Sequence, residues 1–510
     1  MKEEKEYSFH NVWTERKVSP WSVAFFGYFI ILLLQTLFDE KQWTGNIIFV
    51  QELMIFAFVI CVGMFVVLAI CKNERAEREH LMTWLIMVIG IIMRVGYMLY
   101  TPWEVRGHDA GILSAGPEGK GHCGYIMRIF EGNLPESNVG QFYHPPLYHF
   151  LAAISMHISG LLRGTQDGVA LIESAKVVSC VASIGVIYQV KKILEDTDIN
   201  GVARNVTMLI VAVLPNYYLM AGRINNDSLV FFFIVVILRY TMKWYRNQSY
   251  ANTIILAVAF GLGIMTKVSC GVMSMFTGVV MLVVFVKNIK ARKWKALLKR
   301  LLIFGCISGV LGLWYPIRNL VLFQQPFNYV YEIPIDNPVY CGDASLNERM
   351  SVLYDFTEKR AVYNDPKADY NLPSYFLRCS LFGEFSFNNL DEVAVGFYWI
   401  NVIMVILSLG AMVYSLYKRK KNRKFVLGLA MVWGLQVVSF ISFNIRYPYA
   451  CTMDYRYIPI TTIIGAIYIG MLYQEIEEKE GISMKLLCKF IQGLVLVFAA
   501  FSITFYTHIS

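Results

Sequence analysis

Apolar blocks of about twenty residues recur along the chain from Trp21 to Ile509, and a bilayer core about 30 Å thick asks for a helix of that length at each crossing. Nothing else in the sequence restricts the fold as strongly. Within a few residues the blocks lie at 21–38, 47–70, 81–100, 170–190, 203–221, 228–246, 251–267, 270–287, 300–321, 394–416, 425–444, 455–473 and 486–508. Lipid offers the backbone no hydrogen-bond partner, so each block must be a helix. The expectation is an all-α integral membrane protein with about thirteen transmembrane helices. Of the 510 residues, 56% are hydrophobic and 16% charged, which excludes a soluble protein built round one core. Met1 to Pro20 is polar and no small-residue cleavage pattern follows, so the first block reads as the first span rather than as a signal peptide.

The net charge of +9 does not point to nucleic acid, because the basic residues sit in short runs between apolar blocks. Those runs are Lys72–Arg78, Lys191–Arg204, Lys243–Arg246, Lys287–Arg300, Lys418–Lys424 and Lys479–Lys489. All six fall on the cytoplasmic side if the apolar stretch Pro145–Leu162 does not cross but lies as an interfacial or re-entrant helix. The N-terminus is then inside, and two large loops face out: Thr101–Val169 and the acidic Phe323–Val393. The organisation that follows is an N-terminal transmembrane module over 1–322 that includes outer loop 101–169, a partly interfacial outer loop over 323–393, and a C-terminal transmembrane module over 394–510. Each outer loop carries interfacial helix, the segment SLFGEFSF from Ser380 among them. No fixed-period repeat is visible, although inverted repeats of the transporter kind leave little trace in one sequence.

The first outer loop, His157 included, holds five of the eight histidines. Asp109 follows His108 in its glycine-rich first half, and a carboxylate there can accept the proton of an attacking hydroxyl. Equally, it can be a solvated loop acid. A second polar element, AGRINNDSL over 221–229, interrupts two apolar blocks with Arg223, Asn225, Asn226 and Asp227. Charged groups at a membrane helix junction are costly and suggest function, while Asp227 also suits a helix cap. Lys267 in MTKVSC is a lone cation between two apolar runs, placed to snorkel or to hold a phosphate. Arg318 in WYPIRN and Arg456 in MDYRYIP stand at further outer helix ends, against the usual charge asymmetry. Convergence on a lipid phosphate would explain them.

Gly107 to Leu151, with its H-D, G-H-C-G-Y and F-Y-H-P-P-L-Y, resembles the first loop of bacterial membrane glycosyltransferases related to protein O-mannosyltransferases and to the aminoarabinose transferase of lipid A. R-I-N-N-D-S-L at 223–229, T-K-V-S at 266–269 and S-L-F-G-E-F at 380–385 continue the resemblance in order. It implies a C-type glycosyltransferase fold and a sugar donor linked to polyprenyl phosphate. By position, Asp109 matches the essential first-loop acid, Asp227 the second acid and Lys267 the phosphate-binding lysine; His144 stands before Pro-Pro, where relatives carry His or Lys. Asp109 is followed by Ala rather than by the second acid common in the family, and two helices precede the one that normally comes first.

The expected activity is inverting transfer of a sugar to an acceptor hydroxyl on the extracytoplasmic face of the cell membrane. Asp109 and Asp227 are the expected catalytic residues. His108, His122, His144, Arg223, Asn226, Lys267, Arg318, Glu384 and Arg456 are the expected substrate-binding residues. The partners are the lipid-linked donor, membrane lipid, and a lipid, glycan or protein acceptor. No cofactor is required by this reading, and a divalent metal ion stays open. Transport or flipping of a polyprenyl-linked or anionic solute is the alternative. A zinc site from His108, Asp109, His122 and His144 is a further one, though their spacing fits no standard pattern. Cys341 and Cys379 share the second outer loop and can pair in an oxidising compartment.

Overall fold

The computed structural model describes residues 20–38, 46–70, 74–116, 118–292, 294–351, 370–385, 387 and 390–509. The polar N-terminal stretch and the part of the second outer loop at 352–369 lie outside the described residues. Among the described residues the only β-pairing is an isolated antiparallel bridge between Tyr340 and Tyr449, so the fold is all-helical. Each of the thirteen apolar blocks lies on a helix or on consecutive short helices. Among the described residues eight helices are long and apolar enough to cross a membrane, or nine when Gly201–Val213 and Pro215–Ala221, bent by 50°, count as one span. Thirteen is reached only by adding the shorter apolar helices Ser22–Phe38, Ile55–Leu68 and Tyr250–Thr266 and the helix Ile460–Glu477.

The spans divide by burial. In Gly168–Asp196 and Asp227–Arg246, 72% and 67% of the apolar window is buried, against 11% in Trp294–Phe323. The first two form the middle of the bundle; the third turns Val310, Val321 and Leu302 outward, as a lipid-facing helix does.

The bend at 214–215 follows from the sequence. Pro215 has no N–H to give the Val211 carbonyl, which burial among helices would leave unsatisfied. Arg94, fully buried in helix Arg75–Tyr100, donates to the carbonyls of Val211 (3.2 Å) and Ala212 (2.8 Å), and Ser502 Oγ donates to that of Val213. Lys176 Nζ similarly donates to the carbonyls of Met98 and Thr101 at the C-terminus of Arg75–Tyr100.

Leu147–Arg163, expected as interfacial, is an amphipathic helix and is not among the candidate spans. Its buried side packs on helix Pro20–Phe38, where Tyr28 and Ser155 hydroxyls stand 2.6 Å apart and Thr36 donates to Ser159 (3.1 Å). One expectation fails in the second loop. Ser380, Leu381 and Phe382 end the helix Leu372–Phe382 and are buried against protein rather than laid along the interface. Asn216, at the start of the bent helix, holds that segment by donating to the Cys379 carbonyl (2.5 Å). Cys379 and Cys341 are not bridged to each other. The first loop, the second loop, the 222–226 turn and the 447–459 segment gather at one end of the bundle. Contacts such as Cys341 N–H to the Pro448 carbonyl (2.9 Å) and His108 to Glu384 (2.9 Å) join them.

Candidate active site

The glycine-rich half of the first loop exists to let backbones touch. A Cβ on Gly121 would stand 2.1 Å from the Ala110 carbonyl oxygen, so no other residue fits without moving one strand of the loop. Helix His122–Phe130 starts there, and its first free N–H groups need acceptors. His122 N–H takes the Asp109 carbonyl (2.9 Å) and Cys123 N–H that of Ala110 (3.0 Å). Asn225 donates to the carbonyl of His108 (3.2 Å). So pinned, Asp109 adopts φ +54°, the left-handed region that aspartate tolerates better than most residues. Such strain is characteristic of functional positions.

The Asp109 carboxylate is 39% exposed, the most open acid of the cluster, and its ion pairs are made through Oδ2. Arg456 Nη1 stands 3.2 Å from it, and the same nitrogen is 3.4 Å from Asp227 Oδ2. His108 Nε2 is also 3.2 Å from Asp109, but without hydrogen-bond alignment. Lys267 Nζ reaches Asp227 Oδ1 at 2.5 Å and lies over the Tyr457 ring. The two expected catalytic acids are therefore joined through one guanidinium, with the expected phosphate-binding lysine on the second acid.

Both bland readings of these residues fail in the structure. Asp227 opens helix Asp227–Arg246 but makes no capping bond; its backbone N–H takes Asn225 Oδ1 (2.7 Å) while its side chain makes ion pairs. Lys267 is held inside by Asp227 instead of snorkelling, with 13% of its side chain exposed. Asn226 donates to the Thr266 carbonyl (3.3 Å), which ties the Asp227 turn to the Lys267 turn.

Arg456 belongs to a short 3-10 turn, Tyr455–Tyr457, where the sequence predicts the start of a span; the span begins after Pro459. Asp454 caps that turn, with Oδ1 accepting from Arg456 N–H (3.1 Å). Sequence reasoning passed over Asp454, whose only signal was its place two residues before an outer-end arginine. It is fully buried, and burial with Glu384 nearby pushes its carboxyl well above the carboxylate range, Arg223 opposing. Arg223 stacks on Phe385 (4.7 Å), and its Nε and Nη2 are buried without a hydrogen-bond partner among the described residues. His108 Nδ1 faces Glu384 Oε2 at 2.9 Å.

His122 and His144 sit in a neighbouring layer. His122 Nδ1 is 2.9 Å from His149 Nε2, and His149 stacks on Tyr125 at 3.8 Å. The His144 ring stands parallel to that of His122, 6.0 Å away, and rests on Tyr143. Burial pushes all three imidazoles down, His122 to about 4 and the other two well below the usual histidine value. At neutral pH they are uncharged hydrogen-bonding groups. Arg318 does not join the acids: it donates to the Pro135 carbonyl (2.7 Å) and to Asn319 (2.9 Å), bracing the loop before His144. Among the described residues the alternative zinc set His108, Asp109, His122 and His144 does not form a metal-holding group. Among the described residues that arrangement is met by His108, Glu384 and Asp454.

Residues 143–314 match the family model of dolichyl-phosphate-mannose-protein mannosyltransferases, about a third of the chain. No curated protein matches the sequence. Among solved structures the chain is similar to ArnT from Cupriavidus metallidurans in the apo state, at 13% identity and TM-score 0.35 over 77% of this chain and 78% of that one. It is also similar to the same protein bound to undecaprenyl phosphate, at 15% identity and TM-score 0.34 over 78% and 80%. Likeness of that size transfers no residue roles. The segment matched by the family model holds His144, Arg223, Asp227 and Lys267 and ends before Arg318. Over that segment the chain is similar to the protein O-mannosyltransferase kind of polytopic membrane glycosyltransferase that its motifs resemble.

Proposed function

We propose that this protein transfers a sugar from a polyprenyl-phosphate-linked donor to an acceptor hydroxyl at the extracytoplasmic membrane face, with inversion at the anomeric carbon. The observation that carries the reading is the pair of acids, Asp109 and Asp227, joined through Arg456 beside Lys267 at a half-open loop. The acceptor oxygen attacks the anomeric carbon, the carbon–oxygen bond to phosphate breaks, and the hydroxyl proton passes to Asp109. Polyprenyl phosphate leaves as an anion, so little general-acid help is needed. Charge growing on that phosphate is offset by Lys267 and by Arg223, whose unpartnered N–H groups are available to it, and stabilisation of this kind is usually the largest contribution to catalysis. The neutral His122 and His144 and Asn226 bind sugar or acceptor hydroxyls, and Arg318 acts at a distance by fixing the loop that carries His144.

Transport is less well supported. It asks for paired broken helices whose freed backbone faces the substrate. The described residues hold one bent pair, and its freed carbonyls are taken up by Arg94 and Ser502. The test is to incubate purified protein with a panel of polyprenyl-phosphate sugars and hydroxyl acceptors and to measure freed polyprenyl phosphate. Release from at least one donor is expected. No release from any donor, with movement of intact donor between leaflets, would replace this reading with transport.

A further inference from the structure

We propose that His108, Glu384 and Asp454 form a binding site for one divalent transition-metal cation, Zn2+ or Mn2+. One ligand atom from each residue lies within 4.8 Å of the other two. Ligand atoms about 2.1 Å from a common ion stand roughly 3–4 Å from one another, so closure needs shifts of about 1 Å or less. A cluster of this sort is not enough by itself, but one buried ligand atom in it is unpaired. Asp454 is 0% exposed, and its Oδ2 has no hydrogen-bond partner among the described residues; the nearest cation, Arg456 Nε, is 3.6 Å away. A buried polar atom left unpaired costs about 1–3 kcal/mol, and a cation beside Asp454 Oδ2 removes that cost.

Among the acids gathered here, Lys267 and Arg456 stand 2.5–3.4 Å from Asp109 and Asp227, while Arg456 Nε stands 3.6 Å from Asp454. One nitrogen with carboxylate oxygens suits Zn2+ or Mn2+ better than Mg2+, which prefers oxygen alone. Three protein ligands leave positions for water or for a substrate oxygen.

The site would also act on Asp109. His108 presents Nδ1 to Glu384 and Nε2 to Asp109. An ion on the Nδ1 side displaces any proton there and fixes the tautomer with N–H at Nε2, the nitrogen that stands 3.2 Å from Asp109. A ligating histidine that donates its other N–H to a carboxylate is a common metal-site arrangement. The ion thereby orients the proposed base without touching it.

Binding is measured without reference to activity, so its failure leaves the transfer reading untouched. Tag-free full-length protein in detergent is stripped with a chelator, dialysed against Zn2+ or Mn2+, and its metal counted by mass spectrometry. One tightly held ion per chain is expected, together with a rise in unfolding temperature. Asp454→Asn should bind at least about 100-fold more weakly, because loss of an outer-shell partner alone costs 10–100-fold. His144→Gln, in the neighbouring layer, should bind as the unmodified protein does. If Asp454→Asn does not yield folded protein, Glu384→Gln is measured in its place. No stoichiometric ion in the unmodified chain, undiminished binding by Asp454→Asn or by its Glu384→Gln substitute, or equal loss in His144→Gln would each overturn the proposal.

Discussion

Replacing Lys267 with methionine keeps the length of the stem and removes the charge that stands 2.5 Å from Asp227. Asp227 is 5% exposed, so its carboxylate is then left in the interior with Arg456 at 3.4 Å as the remaining cation. At an effective dielectric constant of about 20, unit charges attract by about 7 kcal/mol at 2.5 Å and by about 5 kcal/mol at 3.4 Å. Most of either attraction is cancelled by desolvation, and removing one partner of a buried pair typically costs about 3–5 kcal/mol. Since Arg456 retains roughly two-fifths of the gross attraction, Lys267→Met should destabilise by about 2 kcal/mol, below that range. The double variant Asp227→Asn with Lys267→Met removes both charges and should recover at least half of the loss. Equilibrium unfolding by detergent titration in mixed micelles measures both. A double variant no more stable than Lys267→Met would refute the ion-pair account of this junction.

Three further outcomes follow from named contacts. Gly121→Ala places a methyl 2.1 Å from the Ala110 carbonyl oxygen, so it should displace residues 109–111 and cost several kcal/mol of loop stability, about 3 by the usual cost of overpacking, with transfer lost; protease sensitivity of the first loop reads this out. Arg318→Ala frees the loop at Pro135 without touching the acids, so it should slow turnover by less than about tenfold and leave donor binding unchanged in a KM-against-kcat comparison. His122, His144 and His149 are held neutral by burial, with folded values below the unfolded 6.5. The unfolded chain then binds more protons, so their contribution to stability is complete above about pH 6.5 and is lost as the pH falls towards the folded values, about 4 for His122. Unfolding temperatures measured between pH 7 and pH 4 should fall, and His144→Gln should make the fall shallower.

The spans were legible because lipid demands long apolar runs, and every expected block lies on helix. Their ends were less so. Tyr455 to Ile458 has the composition of a span, yet it forms a turn because Asp454 caps a 3-10 segment and Pro459 starts the helix afresh. Asp109, Asp227, Lys267 and Arg456 were each visible as charges at helix ends or in the outer loop, because the bilayer makes a charge in such places conspicuous. That one guanidinium joins two of the acids was not visible, since Asp109 and Arg456 are brought together from opposite ends of the chain. Arg318 gave the same local signal as Arg456 and braces a loop instead, which shows that position at a helix end does not encode the partner. Glu384 and the SLFGEF segment look interfacial in sequence because aromatics flank a lone acid. Burial against the 215–221 helix is a tertiary fact that periodicity does not carry.

The most direct measurement on the central claim compares polyprenyl phosphate release by the unmodified protein and by Asp109→Asn, with the donor that proves active and with unfolding curves recorded alongside. Asparagine tolerates the left-handed backbone at this position, so the fold should be retained. Loss of a general base should lower turnover by about 10²–10⁴-fold. Turnover within a few-fold of the unmodified protein, with the same unfolding curve, would remove Asp109 as the proton acceptor and contradict the account.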